Sequence, residues 1–401
     1  MCIVRGRYDL GSLPTETRNG KGIKRVTTPH TEKPHTEHEI PFNDLGRGTR
    51  ALRPLIDDAI ARVLDSGWFV LGPEHNSLES EIAEYLGVGD AVLVGNGTDA
   101  LQLALIAIGV RADDTVLTVA NAGGYTSTAV RSLGATPVFA DVDPSTLLVS
   151  VSTLSEALDR LETLPSALVV THLFGASADM TSIMRWADAV GIPVIEDCAQ
   201  SMGAVHAGKK AGSFGRLATT SFYPTKNLGA LGDGGCVFTS DPALATRLRQ
   251  LRQYGWTSKY VTALSGGRNS RMDELQAAIV RVKLPFLDAW NDRRREIHQR
   301  YEAAVPAGVR MVNHAQDGYV GHLAVIETAD REKTRTLLTE AGIHTDVHYP
   351  IPDHKQPILA GTIQPSLPVT EAAAERILSL PLFPELEDSE VDRITDVLKR
   401  I

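Results

Sequence analysis

The sequence predicts an α/β protein with a large, mostly parallel seven-stranded sheet and a smaller C-terminal α+β domain. The chain of 401 residues is longer than one hydrophobic core usually serves, so two domains are expected. Its composition, with 43% hydrophobic and 22% charged residues, is that of a globular protein. Seven short apolar runs lack the polar alternation of half-exposed strands, and helical patterns separate most of them. Such strands are typical of a sheet that helices cover on both faces.

The strand candidates all lie in the first two thirds of the chain. They occupy residues 91–95, 115–119, 136–142, 167–173, 193–197, 218–223 and 236–240. Amphipathic patterns predict helices before or between them, at residues 51–65, 77–86, 98–109 and 179–190. In the second of these helices, Ser77 is expected to act as the N-cap.

The C-terminal part has a different pattern. A long helical stretch at 272–304 leads out of the sheet domain and is followed by a strand at 321–328. A helix at 330–341, a Pro-rich loop at 349–368 and a terminal helix from Ser389 complete the chain. We therefore expect a small domain in which helices and a few strands are segregated rather than alternating.

Two boundaries divide the chain into three parts. Residues 1–40 are polar and slightly basic, whereas the remainder is acidic, and we interpret them as a disordered N-terminal extension. Residues 41–288 form the large domain that carries the sheet, and residues 289–401 form the small C-terminal domain.

Charge and cysteine content exclude several classes of function. The 40 Lys and Arg residues against 49 Asp and Glu give a net charge of −9, which argues against nucleic-acid or anionic-membrane partners. The apolar runs have the length of strands, so none is expected to span a membrane. Cys2, Cys198 and Cys236 form no CxxC pair and no metal-ligand cluster, so we predict no metal site and a reducing, cytoplasmic location.

A glycine-rich turn after the first strand is the first candidate for a binding site. In parallel sheets, ligands bind at the carboxyl ends of the strands. The turn GNGTD at 95–99 opens a helix, where free N–H groups attract an anion. The alternative is an ordinary helix cap. The spacing matches neither a Walker A loop nor a dinucleotide-binding fingerprint.

Asp197 and Lys226 follow two later strands. Asp197 has apolar and small neighbours, and a buried carboxylate needs a cationic partner or several donors; the alternative is a loop cap. Lys226 follows a buried strand inside a glycine-rich, nearly uncharged loop, where desolvation lowers the pKa of its amine; the alternative is a solvated surface lysine. A Schiff-base lysine, an aspartate and an anion site are the parts that pyridoxal phosphate (PLP) requires.

Six motifs in order resemble the DegT/DnrJ/StrS family of PLP-dependent sugar aminotransferases, which have fold type I. The resemblance runs from about Ile40 to the C-terminus, and it implies that residues 41–288 bind PLP. The motifs are SGWFVLGPE (66–74), GNGTDAL (95–101), HLFGASADM (172–180), EDCAQSMGA (196–204), SFYPTKNLGALGDGG (221–235) and GRNSRMDELQAA (267–278).

The resemblance implies roles for individual residues around the cofactor ring. Lys226 resembles the lysine that forms the Schiff base with PLP and carries protons, and Asp197 resembles the partner of the pyridine nitrogen. Gln200 matches a residue near the pyridine O3′, and Tyr125 matches an aromatic residue that stacks on the ring. The segment NAGGYTST around Tyr125 departs from the family pattern, because it lacks the usual Pro and has Gly124 in place of a Thr.

The resemblance also implies a site for the cofactor phosphate. Asn269 matches a residue that reaches the phosphate across a dimer interface, so a homodimer with shared active sites is expected. The positions that match the phosphate site are Gly97, Thr98, Asp99, Ser221 and Asn269.

The expected reaction transfers the amino group of glutamate to a keto sugar, with a dTDP-linked 3-keto-6-deoxyhexose as the favoured acceptor. Tyr223, three residues before the lysine, and the loop HYPIPDHKQP (348–357) both resemble the 3-aminotransferases of the family. The candidate substrate-binding residues are Tyr223, His348, His354 and Lys259. A core aromatic residue and a surface-loop histidine are the alternatives for Tyr223 and His348.

Other functions remain open at this point. A 4-keto nucleotide sugar or a keto-inositol of the scyllo-inosose type is an alternative acceptor. A non-catalytic PLP-binding regulator is expected to lose the lysine, whereas Lys226 is present. A cysteine desulfurase needs a reactive cysteine on a mobile loop, which Cys198 and Cys236 do not offer, and a threonine aldolase is a further enzyme of the same fold.

Overall fold

The structure, a computed structural model, describes residues 39–313, 318–361 and 364–401. Most of the predicted N-terminal extension, residues 1–38, lies outside the described residues. Ile40, the last residue assigned to that extension, is folded: it is 1% exposed within the core of the C-terminal region. Its N–H donates to the Gly342 carbonyl at 2.8 Å, and its carbonyl accepts from the His344 N–H at 3.0 Å.

The described residues alternate between strands and helices over most of the chain. The strands are β1 (Asp90–Val94), β2 (Thr115–Val119), β3 (Thr136–Ala140), β4 (Ala167–Thr171), β5 (Val194–Asp197), β6 (Val205–His206), β7 (Lys209–Lys210), β8 (Leu217–Ser221), β9 (Gly235–Thr239), β10 (Trp256–Ser258), β11 (Val261–Thr262), β12 (Arg310–Met311), β13 (Ala324–Glu327) and β14 (Ile377–Leu380). The α-helices are α1 (Leu45–Ala51), α2 (Arg53–Ser66), α3 (Pro73–Leu86), α4 (Gly97–Ile108), α5 (Tyr125–Ser132), α6 (Val151–Leu158), α7 (Met180–Val190), α8 (Pro242–Leu251), α9 (Glu274–Lys283), α10 (Leu287–Ala304), α11 (Arg331–Glu340), α12 (Pro368–Arg376) and α13 (Asp388–Leu398).

All seven predicted strands pair in one sheet, in the order β1-β9-β8-β5-β4-β2-β3. The pairs from β3 to β8 are parallel, and only β9 runs against its neighbours β1 and β8. The predicted large, mostly parallel seven-stranded sheet is therefore confirmed. Every residue of β4 and β9 is buried, which explains why their sequences show no polar alternation.

A separate small sheet, β12-β13-β14, forms the centre of the C-terminal region and is antiparallel. A core that includes Tyr301 and Phe383 packs α10, α11 and α13 against this sheet. The predicted small α+β region is confirmed, whereas the domain boundary at residue 288 stays a prediction.

The start of α3 differs from the prediction. The helix begins at Pro73, so Ser77 lies inside it and is not the N-cap. The carboxylate of Glu274, distant in sequence, accepts hydrogen bonds from three backbone N–H groups between Gly72 and His75 at 2.6–3.0 Å. These N–H groups have no partner within the helix, so the distant carboxylate replaces a local cap.

The predicted helical stretch at 272–304 is two helices, α9 and α10. A 3₁₀ turn at Leu284–Phe286 separates them, and Pro285 within it cannot donate a helical hydrogen bond. Among the described residues, no helix combines the length and apolar character needed to cross a membrane.

Candidate active site

A cavity of about 520 Å³ opens beside the carboxyl ends of β5 and β8, where α4 and α5 begin. Segments of the C-terminal region close its other side, and its size lies within the range of small-molecule sites. Eight of the predicted site residues line it: Gly97, Thr98, Tyr125, Asp197, Ser221, Tyr223, Lys226 and His348. Five others do not: Asp99, Gln200, Lys259, Asn269 and His354.

The loop after β8 turns Lys226 back into this cavity. The Phe222 N–H donates to the Gly234 carbonyl, and its carbonyl accepts from the Ala230 N–H, both at 2.8 Å. Within the loop, the Lys226 N–H donates to the Tyr223 carbonyl at 2.8 Å and forms a tight turn. Because these hydrogen bonds fix both ends of the loop, the backbone of Lys226 is held in place next to the carboxyl end of β8.

Burial lowers the pKa of the Lys226 amine to about 8, and the nearby charge of Asp197 opposes this shift only in part. The depression predicted from the loop composition is therefore confirmed. With that pKa, about one amine in ten is neutral at pH 7, against far fewer than one in a thousand for an ordinary lysine. A neutral amine is the form that attacks a carbonyl carbon or accepts a proton.

Asp197 is 6% exposed, as predicted, and lies at the end of β5 on the cavity wall. Its carboxylate accepts a hydrogen bond from the Ala199 N–H at 3.1 Å. Desolvation raises the pKa of Asp197, while this hydrogen bond and the charges of Lys226 and His172 oppose the rise. A carboxylate in this environment gains from a cationic group brought into the cavity.

A hydrogen-bonded cluster lies directly beside Asp197. The Glu196 carboxylate accepts from His172 Nε2 at 3.0 Å and from three backbone N–H groups between Gly212 and Gly215 at 2.7–2.8 Å. The pKa of Glu196 is lowered, because these donors outweigh the effect of its burial. His172 Nδ1 accepts from the Ala178 N–H at 3.1 Å. Although the Cys198 thiol lies close enough to complete a set of metal ligands, the carboxylate and both ring nitrogens are already hydrogen-bonded.

The start of α4 forms one wall of the cavity. The Asn96 side chain caps the helix by accepting a hydrogen bond from the Asp99 N–H at 2.8 Å. Gly97 and Thr98 line the cavity, and the N–H groups of this first turn have no carbonyl partner within the helix. A Cβ atom on Gly97 would lie 2.7 Å from the Cβ of Ser221. Glycine is thus required for the close approach of the helix start to the end of β8.

Asp99 has a different environment from the one the resemblance implies. Its carboxylate accepts from the Ser270 hydroxyl at 2.6 Å and lies 3.5 Å from the Arg268 guanidinium. These contacts hold the loop around Asn269 against α4. Asn269 itself is exposed, as is Lys259 in the β10–β11 hairpin, where the ammonium lies 5.1 Å from the centre of the Tyr260 ring.

Gln200 supports an aromatic wall and does not line the cavity. Its carbonyl oxygen accepts from the Phe174 N–H at 2.7 Å, and its amide donates to the Tyr349 hydroxyl at 3.0 Å. The Tyr349 ring meets the Tyr125 ring edge-on, with the centroids 6.1 Å apart. Tyr349 lies within the quoted motif HYPIPDHKQP, yet sequence reasoning overlooked it in favour of the histidines.

The two histidines of that motif have different positions. His348 lines the cavity, stacks on Phe42 with ring centroids 5.5 Å apart, and shares a hydrogen bond of 2.9 Å with the Ser379 hydroxyl. His354 is 2% exposed and pairs with the Glu371 carboxylate at 3.0 Å. The structure therefore places His354 in the packing beneath the loop and not at a substrate-binding position.

Asp353 supports the cavity wall at Tyr125 without lining the cavity, and sequence reasoning missed it. Its carboxylate accepts from the Gly124 N–H at 2.7 Å and from the Ser127 hydroxyl, so it caps the helix that begins with Tyr125. The N-cap position is Gly124, which has no side chain, so the start of this helix has no local side-chain cap. The absence of a local cap was the one sequence signal that pointed to support from elsewhere in the chain.

Replacing Asp353 with asparagine is expected to remove a pH-dependent part of the protein's stability. Burial raises the pKa of Asp353 to about 6, above that of the unfolded chain. The folded protein therefore binds the proton more tightly, and this contribution to stability is present at pH 4 and lost as the pH rises through 6. The difference in unfolding free energy between wild type and Asp353→Asn should change by about 1–3 kcal/mol from pH 4 to 7. Denaturant unfolding at each pH measures this difference in free energy, and Asp396→Asn, at an exposed position, is the control. Equal pH profiles of stability for wild type and Asp353→Asn would contradict the raised pKa of Asp353.

Comparison with known proteins now identifies the family. The model of the DegT/DnrJ/EryC1/StrS aminotransferase family matches residues 51–399. The chain belongs to this family. It is an aminotransferase, and the predicted fold class, PLP-dependent transferase fold type I, is confirmed by its structural neighbours.

Two relatives and one solved structure illustrate the similarity. The erythromycin biosynthesis sensory transduction protein EryC1 of Saccharopolyspora erythraea is 42% identical over 90% of this chain and 99% of its own length. The dTDP-3-amino-3,4,6-trideoxy-alpha-D-glucose transaminase of Streptomyces venezuelae is 41% identical over 90% of this chain and 95% of its own length. The crystal structure of S. venezuelae DesV in complex with a ketimine intermediate has a TM-score of 0.86 and 40% identity, and the match covers 90% of this chain and 98% of that one.

Proposed function

We propose that this aminotransferase binds PLP and transfers the amino group of glutamate to carbon 3 of a nucleotide-linked keto sugar, with a dTDP-linked 3-keto-6-deoxyhexose as the acceptor. One observation carries the proposal. A lysine with a pKa of about 8, a buried carboxylate and the open start of a long helix face one cavity of about 520 Å³.

The residues around the cavity fit PLP. The cofactor's phosphate suits the wall formed by Gly97, Thr98 and the Ser221 hydroxyl, where helix N–H groups and a side-chain donor converge. Its ring nitrogen, once protonated, is the cationic group that the buried carboxylate of Asp197 lacks. When bound, PLP supplies an electron sink for the carbon that loses a proton.

The chain's own residues supply binding and proton transfer. The Nζ atom of Lys226 is basic enough to accept the Cα proton of the amino donor, yet neutral often enough near pH 7 to do so. Asp197 stabilises positive charge at the ring nitrogen from a fixed, desolvated position. Tyr125 and His348 line the cavity and limit where a second substrate binds.

Two features support a sugar acceptor that is aminated at carbon 3. Tyr223 and His348, the residues on which the sequence argument for carbon 3 depends, both line the cavity that contains Lys226. The Streptomyces venezuelae relative is named for a dTDP-linked 3-amino sugar. His354 and Lys259 do not line this cavity, so the proposal does not depend on them.

A parallel assay tests the acceptor. Purified enzyme with PLP and glutamate is offered a dTDP-linked 3-keto-6-deoxyhexose, the corresponding 4-keto sugar and a keto-inositol, and the aminated product is quantified. We expect turnover with the 3-keto sugar to exceed the others by tenfold or more, since the position of the carbonyl relative to the lysine decides the rate. Preference for the 4-keto sugar or the cyclitol would overturn the choice of acceptor.

A regulatory function is the second candidate, because the relative from Saccharopolyspora erythraea is named a sensory transduction protein. The presence of Lys226 with a depressed pKa favours catalysis. Glutamate should therefore bleach the yellow colour of the purified protein, whereas a non-catalytic regulator would stay yellow.

A cysteine desulfurase is disfavoured because Cys198 and Cys236 are buried and have raised pKa values.

We further propose that the active form is a homodimer with shared sites. Trp68, Phe69 and Tyr260 are 58%, 48% and 75% exposed, and large exposed apolar side chains of this kind mark interaction surfaces. Asn269 is exposed in the loop that the Ser270–Asp99 hydrogen bond holds against α4. An exposed position suits a residue that contacts the cofactor of the neighbouring subunit.

Mixing the inactive Lys226→Ala chain with the weakened Asn269→Ala chain is expected to restore activity. In a heterodimer of Lys226→Ala and Asn269→Ala chains, one site contains both substitutions and the other contains neither. Exchange of subunits should recover about half the wild-type turnover per heterodimer. Activity no higher than that of the Asn269→Ala homodimer, with heterodimers detected by native mass spectrometry, would show that Asn269 acts within its own subunit.

A further inference from the structure

Two successive glycines with left-handed backbones precede Tyr125, the first residue of α5. Gly123 and Gly124 have φ angles of 79° and 81°, a region that residues with a side chain rarely adopt. This segment is also where the sequence departs from the family pattern, with Gly124 in place of a Thr. Because the N-cap is a glycine, the direction in which α5 leaves the turn depends on contacts from elsewhere in the chain.

The carboxylate of Asp353 supplies those contacts by bridging two positions at the start of α5. It accepts a hydrogen bond from the Gly124 N–H at 2.7 Å through Oδ1 and another from the Ser127 hydroxyl through Oδ2. Gly124 is the N-cap and Ser127 is the third residue of the helix, so the two contacts lie on either side of Tyr125 in the sequence. The bridge therefore holds the backbone that carries Tyr125.

The loop that contains Asp353 is itself held against the end of β2. The Asp353 N–H donates to the carbonyl of Ala120, the residue after β2, at 2.7 Å. Earlier in the same loop, the Tyr349 ring packs on Gly123, where a Cβ atom would lie 2.7–2.9 Å from three ring carbons. The start of α5 is thus fixed between two residues of one anchored loop.

Tyr125 needs this support because its own side chain is weakly constrained. The side chain is 50% exposed and lines the cavity, and its ring meets the Tyr349 ring only edge-on. A half-exposed ring loses conformational freedom when it packs on a ligand, and a fixed backbone reduces that cost. Asp353 does not line the cavity, so it acts on a bound ligand through the residues that it holds.

We propose that Asp353 is a positioning residue for Tyr125: by holding both sides of the first residue of α5, it presents the Tyr125 ring to the cofactor in the cavity. The inference rests on the proposed function, because PLP is the ligand that Tyr125 would contact. The loop at 348–357, which the sequence argument connected with the acceptor, therefore also supports cofactor binding.

Two substitutions of Asp353 separate its contacts from its charge. Asp353→Ala removes both hydrogen-bond acceptors. In Asp353→Asn, the amide oxygen accepts from the Gly124 N–H, and the amide nitrogen donates to the Ser127 hydroxyl, which accepts as well as donates. The positioning role predicts a loss in Asp353→Ala and rescue in Asp353→Asn.

Asp141 offers a matched control, because its carboxylate also caps a helix that is distant in sequence. It accepts from the Val369 and Thr370 N–H groups at the start of α12, both at 2.9 Å, and it does not line the cavity. Asp141→Ala therefore removes a cap of the same kind at a helix that does not carry Tyr125.

The measurement is the dissociation constant of PLP, obtained by equilibrium dialysis and absorbance at pH 8, where the Asp353 carboxylate is ionised because its pKa is about 6. Each substitution is made in the wild-type chain and in a Tyr125→Ala chain. Asp353→Ala should weaken PLP binding roughly tenfold in the wild-type chain but at most about twofold further in Tyr125→Ala. Asp353→Asn and Asp141→Ala should stay within about twofold of wild type.

The two backgrounds distinguish positioning from a general structural role. Equal losses on Asp353→Ala in both backgrounds would overturn the proposal, as would a loss of the same size in Asp353→Asn or Asp141→Ala, or no loss in Asp353→Ala. Circular dichroism and denaturant midpoints verify that the variants are folded.

Failure of the proposed function is recognised separately. If glutamate does not bleach the wild-type holoenzyme while the PLP affinities follow the expected pattern, the proposed function is wrong and the positioning role stands. If the wild-type protein binds no PLP, both are wrong, since Tyr125 then has no cofactor to contact.

Discussion

The Lys226→Ala variant is expected to lose transamination by a factor on the order of 10⁴, while its fold is retained. The lysine side chain contributes no hydrogen bond to the loop, since only its backbone N–H holds the turn through the Tyr223 carbonyl. Under the proposed function, removing the amine eliminates both the covalent attachment for PLP and the base for the Cα proton. Formation of 2-oxoglutarate from glutamate, measured in a single turnover, checks the loss.

Lys283 offers a matched control, because burial also lowers the pKa of its amine to about 8. Its ammonium donates to the Gly229 carbonyl at 2.7 Å, and it lies outside the walls of the cavity. Lys283→Ala should therefore keep the yellow colour and its response to glutamate. If Lys226→Ala still converts glutamate while Lys283→Ala does not, the lysine has been misassigned.

The Asp197→Asn variant should retain some PLP but turn over at least about a hundredfold more slowly. An amide has almost the same shape as a carboxylate but cannot stabilise a positive charge at the ring nitrogen. Loss of one preorganised electrostatic contact in a desolvated site costs about 3 kcal/mol in the transition state. The carboxylate is 6% exposed, so little solvent screening reduces the effect.

Asp233 provides the comparison for Asp197, because it lines the same cavity but is exposed to solvent. Water and salt screen such a charge, so Asp233→Asn should lose less than about tenfold in turnover. The two variants are compared by turnover number and by the absorbance of the bound cofactor. A near-normal turnover number for Asp197→Asn would contradict its role as partner of the ring nitrogen.

The sheet was predictable because the signal for each buried strand is contained in the residues of that strand. A strand buried on both faces is apolar at most positions, and this property is visible in runs such as those of β4 and β9. Pro73, at the first position of α3, is a local start signal that the prediction overlooked in favour of Ser77. Nearby residues do not reveal the acceptor of the free N–H groups, because Glu274 lies about 200 positions away in sequence.

The same distinction, between local signals and contacts distant in sequence, explains which residues of the candidate site were predictable. Lys226 and Asp197 were found because each directly follows a buried strand, so the topology alone brings them to one edge of the sheet. Asp99 and Gln200 occupy positions next to the cavity, but contacts with Ser270 and Tyr349 turn their side chains elsewhere.

The position of β1 at the edge of the sheet has a consequence for synthesis of the chain. Within the part of the chain that the structure describes, its only partner strand is β9, which follows roughly 140 residues later. At about 5–20 residues per second, a ribosome needs roughly 7–30 s to complete that partner after β1 has emerged. During this interval the apolar strand has no hydrogen-bonding neighbour, so the nascent chain depends on chaperones or on low local concentration to avoid aggregation. Ribosome-bound fragments ending before β9 should therefore be more sensitive to protease than fragments ending after it.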